Sequence, residues 1–174
     1  MNATPDAGAV SVETVIEDAA WDTVPLDALA GRAARATLGR LGLGAGEIVV
    51  LGCDDARIAG LNADFRGKPR PTNVLSWPSA ERGARVEGQM PAPPDTARDA
   101  ELGDIALAFG VCATEARAAG LALEAHVTHL LVHAVLHLLG FDHDRDGDAA
   151  LMERLETEIL AELGLHDPYS GDVS

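Results

Sequence analysis

The stretch His133-Ala-Val-Leu-His137-Leu-Leu-Gly140-Phe-Asp142-His143 constrains the fold more than any other part of the chain. His133 and His137 are four residues apart, so on a helix their Cβ atoms share one face, roughly 5–6 Å apart. Gly140 can take the left-handed conformation that ends a helix. The chain can then turn and return His143 to the same place. Three neutral imidazoles suit zinc and leave a fourth coordination position open, the mark of a catalytic rather than a closed structural site. The stretch therefore predicts a metal helix beside a cleft, a turn at Gly140, and one Zn2+ held by His133, His137 and His143.

His126 and His129 extend the same helical stripe at spacings of three and four. Their readings are packing, contact with the cleft wall, or a hydrogen bond that orients a ligand from behind.

The rest of the chain supplies a scaffold. Residues 1–9 read as a disordered tail, and 10–170 as a single metallohydrolase domain. Val10 to Ile16 alternates as a strand, and Pro25 begins a helix with Leu26, Leu29, Ala33 and Leu41 near one face. Glu47 to Leu51 is a buried strand. Asp54 or Asp55 caps a helix whose Ile58, Leu61 and Phe65 face the core. Thr72 to Trp77 is a strand closed by Pro78. Residues 79–100 form a long irregular loop. Leu102 to Phe109 is a strand alternating Ile105, Leu107 and Phe109. Helices follow over 111–119 and 123–139. The last helix is capped by Asp146 or Asp148, with Leu151, Leu155, Ile159 and Leu163 on its apolar face. This order predicts an α+β fold, a four-stranded mixed sheet packed with about five helices, the metal helix zincin-like and lying on the sheet.

Charge narrows the partners. The formal net charge is −15, which argues against a general nucleic-acid coat protein. Yet Arg57, Arg66, Lys68, Arg70, Arg82 and Arg85 form a basic window, and Lys68 is the only lysine in the chain. The window is either a local anion-binding surface or a solvated loop that carries arginines. No apolar run is long enough to span a membrane, and Met1 to Val12 lacks the pattern of a signal peptide. Cys53 and Cys112 fit no CxxC motif, which points to reduced thiols and a cytoplasmic protein.

The spacing H-x-x-x-H-x-x-G-x-x-H is similar to that of metzincin zinc peptidases, in which Glu follows the first His as general base. Here that position is Ala134, so the peptidase base is missing; Asp142 is the nearest carboxylate in sequence. A metal-activated water can also attack a phosphodiester, and a planar guanidinium suits the charge that builds on the phosphoryl oxygens. Arg66 is the candidate for that catalytic role, with Lys68 and Arg70 beside it as substrate-binding cations. The alternative for Arg66 is an ordinary cation at a helix C-terminus.

Taken together, Leu61-Asn62-Ala-Asp-Phe-Arg66-Gly67-Lys68, Pro71-Thr72-Asn73-Val-Leu-Ser76-Trp77-Pro78, Leu102-Gly103-Asp104-Ile105, Glu124 to His143, and Asp167-Pro168-Tyr169 resemble the YbeY family of bacterial rRNA maturation endoribonucleases. The resemblance spans nearly all of the chain after residue 9. It implies a zinc-dependent endoribonuclease that prefers single-stranded RNA and acts in small-subunit rRNA end maturation and ribosome quality control. It further implies ligation by His133, His137 and His143, catalytic importance for His133 and Arg66, and the ribosomal small subunit as partner. Three positions depart from the family's usual pattern: Ala134 for Gly, Asn73 for Asp and Trp77 for Phe. The Ala134 methyl is expected to narrow the cleft floor, and Asn73 to remove a charge near the site. Two readings compete with the nuclease: a zinc peptidase-like hydrolase, and a non-catalytic ribosome-associated protein in which the metal only holds the C-terminal helices.

Overall fold

Four apolar runs pair into one sheet, and the burial of each strand follows from its place in that sheet. The computed structural model describes residues 9–165. It places β1 (Val10–Ile16), β2 (Gly46–Cys53), β3 (Val74–Pro78) and β4 (Glu101–Ala108) in the order β1-β2-β4-β3. The first, second and fourth strands are parallel, and β3 is antiparallel to β4. Because β4 is interior to the sheet, Ile105, Ala106, Leu107 and Ala108 are all buried. A strand covered on both faces reads as a continuous apolar run. The expected one-sided alternation through Phe109 is corrected accordingly, since Phe109 opens a helix.

The helices are α1 (Leu26–Arg40), α2 (Asp55–Arg66), α3 (Phe109–Ala119), α4 (Leu123–Leu138) and α5 (Asp146–Glu162). The α+β expectation holds, with a mixed sheet and five helices in one domain. Side chains alternate between two cores. Ile48, Val50, Ile105 and Leu107 point to the larger core, which α1, α4 and α5 complete. Cys53, Leu75, Ala106 and Ala108 point the other way, where Ile58 of α2 joins them. Sequence reading missed a short 3-10 turn at Ala19–Thr23. It exists to seat Trp21, which is 1% exposed and donates its indole N–H to the Cys53 carbonyl at 3.0 Å.

Two other expectations change. Pro25 is the residue before α1 rather than its first. Phe65, placed on the core face with Ile58 and Leu61, is 64% exposed. No single helix among the described residues is long and apolar enough to cross a membrane. The expected tail, apart from Ala9, and the Asp167-Pro168-Tyr169 segment lie outside the described residues.

Candidate active site

The turn that follows α4 is a Schellman ending. Gly140 N–H donates to the His137 carbonyl at 3.0 Å and Phe141 N–H to the Leu136 carbonyl at 3.1 Å. Gly140 has φ 101°, and a Cβ there would collide with the Arg82 carbonyl oxygen, so both conformation and space require glycine. The long loop straps this turn from outside. The Arg82 guanidinium donates to the Leu138 carbonyl at 2.9 Å and the Leu102 carbonyl at 3.2 Å. Further on, Gly147 N–H donates to Glu87 at 2.7 Å, and Gly88 N–H donates to Asp148 at 2.8 Å. That second bond, with Arg145 beside it, holds the Asp148 carboxyl below its ordinary range. The expected helix cap at Asp146 or Asp148 is thus corrected. Arg145 occupies the cap position but makes no capping bond with its side chain, which donates instead to Asp148 and the Ala84 carbonyl, and Asp148 is committed to the strap.

With the turn held this way, the His143 ring stacks on His133, centroids 5.5 Å apart and planes at 28°. Both line an open cleft with Ala149, Met152, Glu153 and Glu156. His137 belongs to the same neighbourhood. Its pKa lies below the ordinary 6.5, chiefly through burial; Asp142 opposes the shift, while His133, His143 and Arg66 add to it. The ring is therefore neutral at neutral pH, the form that can coordinate a metal. Arg66 is exposed on the last turn of α2, which Gly67 ends in a left-handed conformation at φ 68°. Lys68 and Arg70 lie exposed on the following loop, and neither is among the charges that shift His137.

What lies behind the histidines was not foreseen. The Glu156 carboxylate is 0% exposed. It accepts the His133 Nδ1–H at 2.7 Å on one oxygen and the His129 Nε2–H at 2.9 Å on the other. His137 Nδ1 shares a 2.7 Å hydrogen bond with the Ser76 hydroxyl. The bond to a carboxylate puts the His133 lone pair on Nε2, and with Ser76 accepting the same holds for His137. A histidine with Nδ1–H held from behind and Nε2 free is the arrangement by which proteins orient metal-binding imidazoles. On that donor chemistry, the residues present fit a metal. Among the described residues, the donor group whose ligand atoms all lie within 4.8 Å of one another is Asp142, His143 and Asp144; the predicted set His133, His137 and His143 is not drawn that close together. The carboxylates thus flank the third histidine directly.

A sequence signal for Glu156 did exist. It sits four residues after Met152 and four before Leu160, both 1% exposed, so α5 buries a face two residues wide with one acid inside it. Ser76 follows the buried Leu75 on β3, and strand alternation turns it to the α4 side.

Two departures from the family pattern take on physical meaning. The Ala134 methyl is 1% exposed and belongs to the larger core, so it does not form the cleft floor as expected. Asn73 donates its amide to Glu115 at 3.0 Å, and the same Glu115 oxygen accepts from His126 at 2.9 Å. An Asp at 73 would face a second carboxylate across that gap. Asn73→Asp should therefore cost about 1 kcal/mol, a fall of roughly 2–4 °C in Tm at pH 7. Like charges raise the folded carboxyl pKa above the unfolded value near 4, so the penalty is full above the folded pKa. Melting curves should show the deficit closing as pH falls toward 4, and Glu115→Gln should remove it at pH 7.

Known proteins share this chain's sequence pattern and fold. Residues 12–164 match the family described as Endoribonuclease YbeY. A protein of that description from Dinoroseobacter shibae is 56% identical over 168 residues, covering 94% of this chain and 93% of its own length. Its counterpart from Paramagnetospirillum magneticum is 47% identical over 154 residues, covering 86% of this chain and 90% of its own. The solution structure of a Thermotoga maritima protein has the same fold, with a TM-score of 0.53 at 20% identity over 91% of this chain and 99% of that one. The chain belongs to the Endoribonuclease YbeY family.

Proposed function

We propose that this protein is a zinc-dependent endoribonuclease that cuts single-stranded RNA, acting on the small subunit in rRNA end maturation and ribosome quality control. One observation carries the reading. His133 and His137 are fixed from behind by Glu156 and Ser76, beside a third histidine and within range of the Arg66 charge. His133, His137 and His143 would hold one Zn2+, an ion suited to imidazole donors. When bound, the ion supplies Lewis-acid chemistry and a more acidic water for attack on a phosphodiester. Arg66 faces the phosphoryl oxygens, where its donor fork meets the charge that grows in the transition state. Glu156 keeps His133 in one orientation and one tautomer, and Asp142, beside His143, receives a proton. Lys68 and Arg70, exposed on the adjoining loop, hold the flanking phosphates.

Cys53 and Cys112 are buried free thiols, and burial pushes both up to about 12. They remain protonated and unreactive, in keeping with a cytoplasmic protein.

The test pairs metal with substrate shape. Protein stripped by a chelator should lose cleavage of a hairpin RNA and regain it with added Zn2+, and cuts should fall in the loop rather than the duplex stem. Cleavage of a peptide by the same preparation, dependent on the same ion, would favour the peptidase reading. Folding that collapses without metal, with no RNA cut by clean holoprotein, would favour the non-catalytic one.

A further inference from the structure

We propose that Phe65 and Trp77 form a stacking platform for one unpaired base of the RNA, beside the phosphate held by Arg66. The proposal rests on the endoribonuclease reading and adds a base subsite to that site.

The chain is only 3% aromatic, and the other described aromatic side chains are used inside. Trp21 is 1% exposed, Phe141 is 5% exposed, and Phe109 packs edge-on against Trp21. Phe65 is the exception at 64% exposed. Its ring is nonetheless positioned, standing edge-to-face against half-buried Trp77 with centroids 5.2 Å apart and planes at 64°. Both residues adjoin the site through the chain. Phe65 precedes Arg66, and Trp77 follows Ser76, whose hydroxyl bonds His137. Alternation along edge strand β3 puts Ser76 and Trp77 on opposite faces, so the pair and the histidines flank this one edge strand from its two faces.

Charge selects the occupant. Arg66, Lys68 and Arg70 are exposed within five residues of Phe65 on a chain of net charge −15. A polyanion is attracted to this window and repelled by most other surfaces. The other exposed large apolar residues, Val15, Ile16, Val86, Met90 and Leu121, lie on other segments, whereas a protein partner usually needs a broad apolar patch. A base offers a flat apolar face on an anionic backbone, and cations interleaved with aromatics are how single strands are held. Only an unpaired base exposes that face.

The test uses the full-length metal-loaded protein and a short labelled single-stranded oligonucleotide with 2′-O-methyl riboses, with affinity read by anisotropy. Phe65→Ala and Phe65→Leu should each weaken binding roughly tenfold, while Phe65→Trp keeps it. Removing the base at one position of the oligonucleotide should weaken the native protein similarly but add little to Phe65→Leu, since both changes delete the same contact. Binding should also quench Trp77, the more open of the two described tryptophans. Leu retains the bulk of the side chain, so the Leu and Trp variants keep the test valid if Ala disturbs folding. Native-like affinity in Phe65→Leu, or equal abasic penalties in both proteins, would overturn the platform while leaving the nuclease reading intact. If the native protein bound no oligonucleotide, the nuclease reading would fall and the platform with it.

Discussion

Replacing Glu156 with Leu should lower Zn2+ affinity by roughly 10- to 100-fold while leaving the fold intact. The carboxylate is fully buried and accepts one N–H from His129 and one from His133. It borders the cleft, but both its oxygens are engaged by histidines, so its effect passes through the His133 ring. Leu matches the apolar neighbours Met152 and Leu160, and it removes the cost of burying an acid, which offsets part of the two lost hydrogen bonds. The two imidazoles lose an acceptor, but their side chains are 22% and 25% exposed, so water can replace it. Stability and metal binding should therefore separate. Thermal melting of the metal-free protein should move little, while competition against a chromophoric chelator shows the loss. Glu156→Gln is a useful second variant, because its amide presents a donor to one of the two N–H groups and should also weaken the metal. Affinity unchanged in both variants would remove Glu156 from the metal centre and leave it a packing residue.

Arg66→Ala should reduce RNA cleavage by roughly 10²–10³-fold at unchanged metal content. Arg66 has a competing explanation, since it sits in the last turn of α2, where a cation is favoured by the helix dipole. Magnitudes separate the two roles. A helix-end charge is worth about 0.3–1 kcal/mol and is preserved by Lys. A guanidinium that meets phosphoryl charge in the transition state is worth several times that, and Lys lacks the planar fork. Arg66→Lys should thus melt like the native protein yet cut poorly, with the loss in kcat rather than KM. Full activity in Arg66→Lys alongside a lowered Tm in Arg66→Ala would reduce the residue to a helix-end charge. The same series applied to Lys68 and Arg70 should show smaller changes, mainly in KM, because both lie exposed out on the loop beyond the helix end.

The element order was legible because each signal was local. The strand at Val10–Ile16, the helix stop at Gly120 and the turn at Gly140 depend on residues a few positions apart. What sequence reading got wrong depended on neighbours far along the chain. Phe65 continues the periodicity of Ile58 and Leu61, and periodicity alone places it inside. It is exposed because its ring partner is half-buried Trp77 at the sheet edge rather than a buried core. The Ala134 methyl lies among core residues rather than in the cleft for a related reason. Neighbouring positions on a helix face different ways, and which way faces the cleft is set by the sheet beneath.

The sequence by itself determined the ligand candidates, because helix geometry ties His133 to His137 and a glycine turn frees His143. It also set this chain apart from the metzincin motif, because Ala134 stands where those peptidases carry Glu. Only the tertiary structure decided what stands behind those ligands. Glu156 lies 23 residues from His133 and Ser76 lies 61 from His137. No local pattern links such positions. They meet because α5 and β3 both pack against α4, and a buried carboxylate must find N–H donors where that packing leaves them.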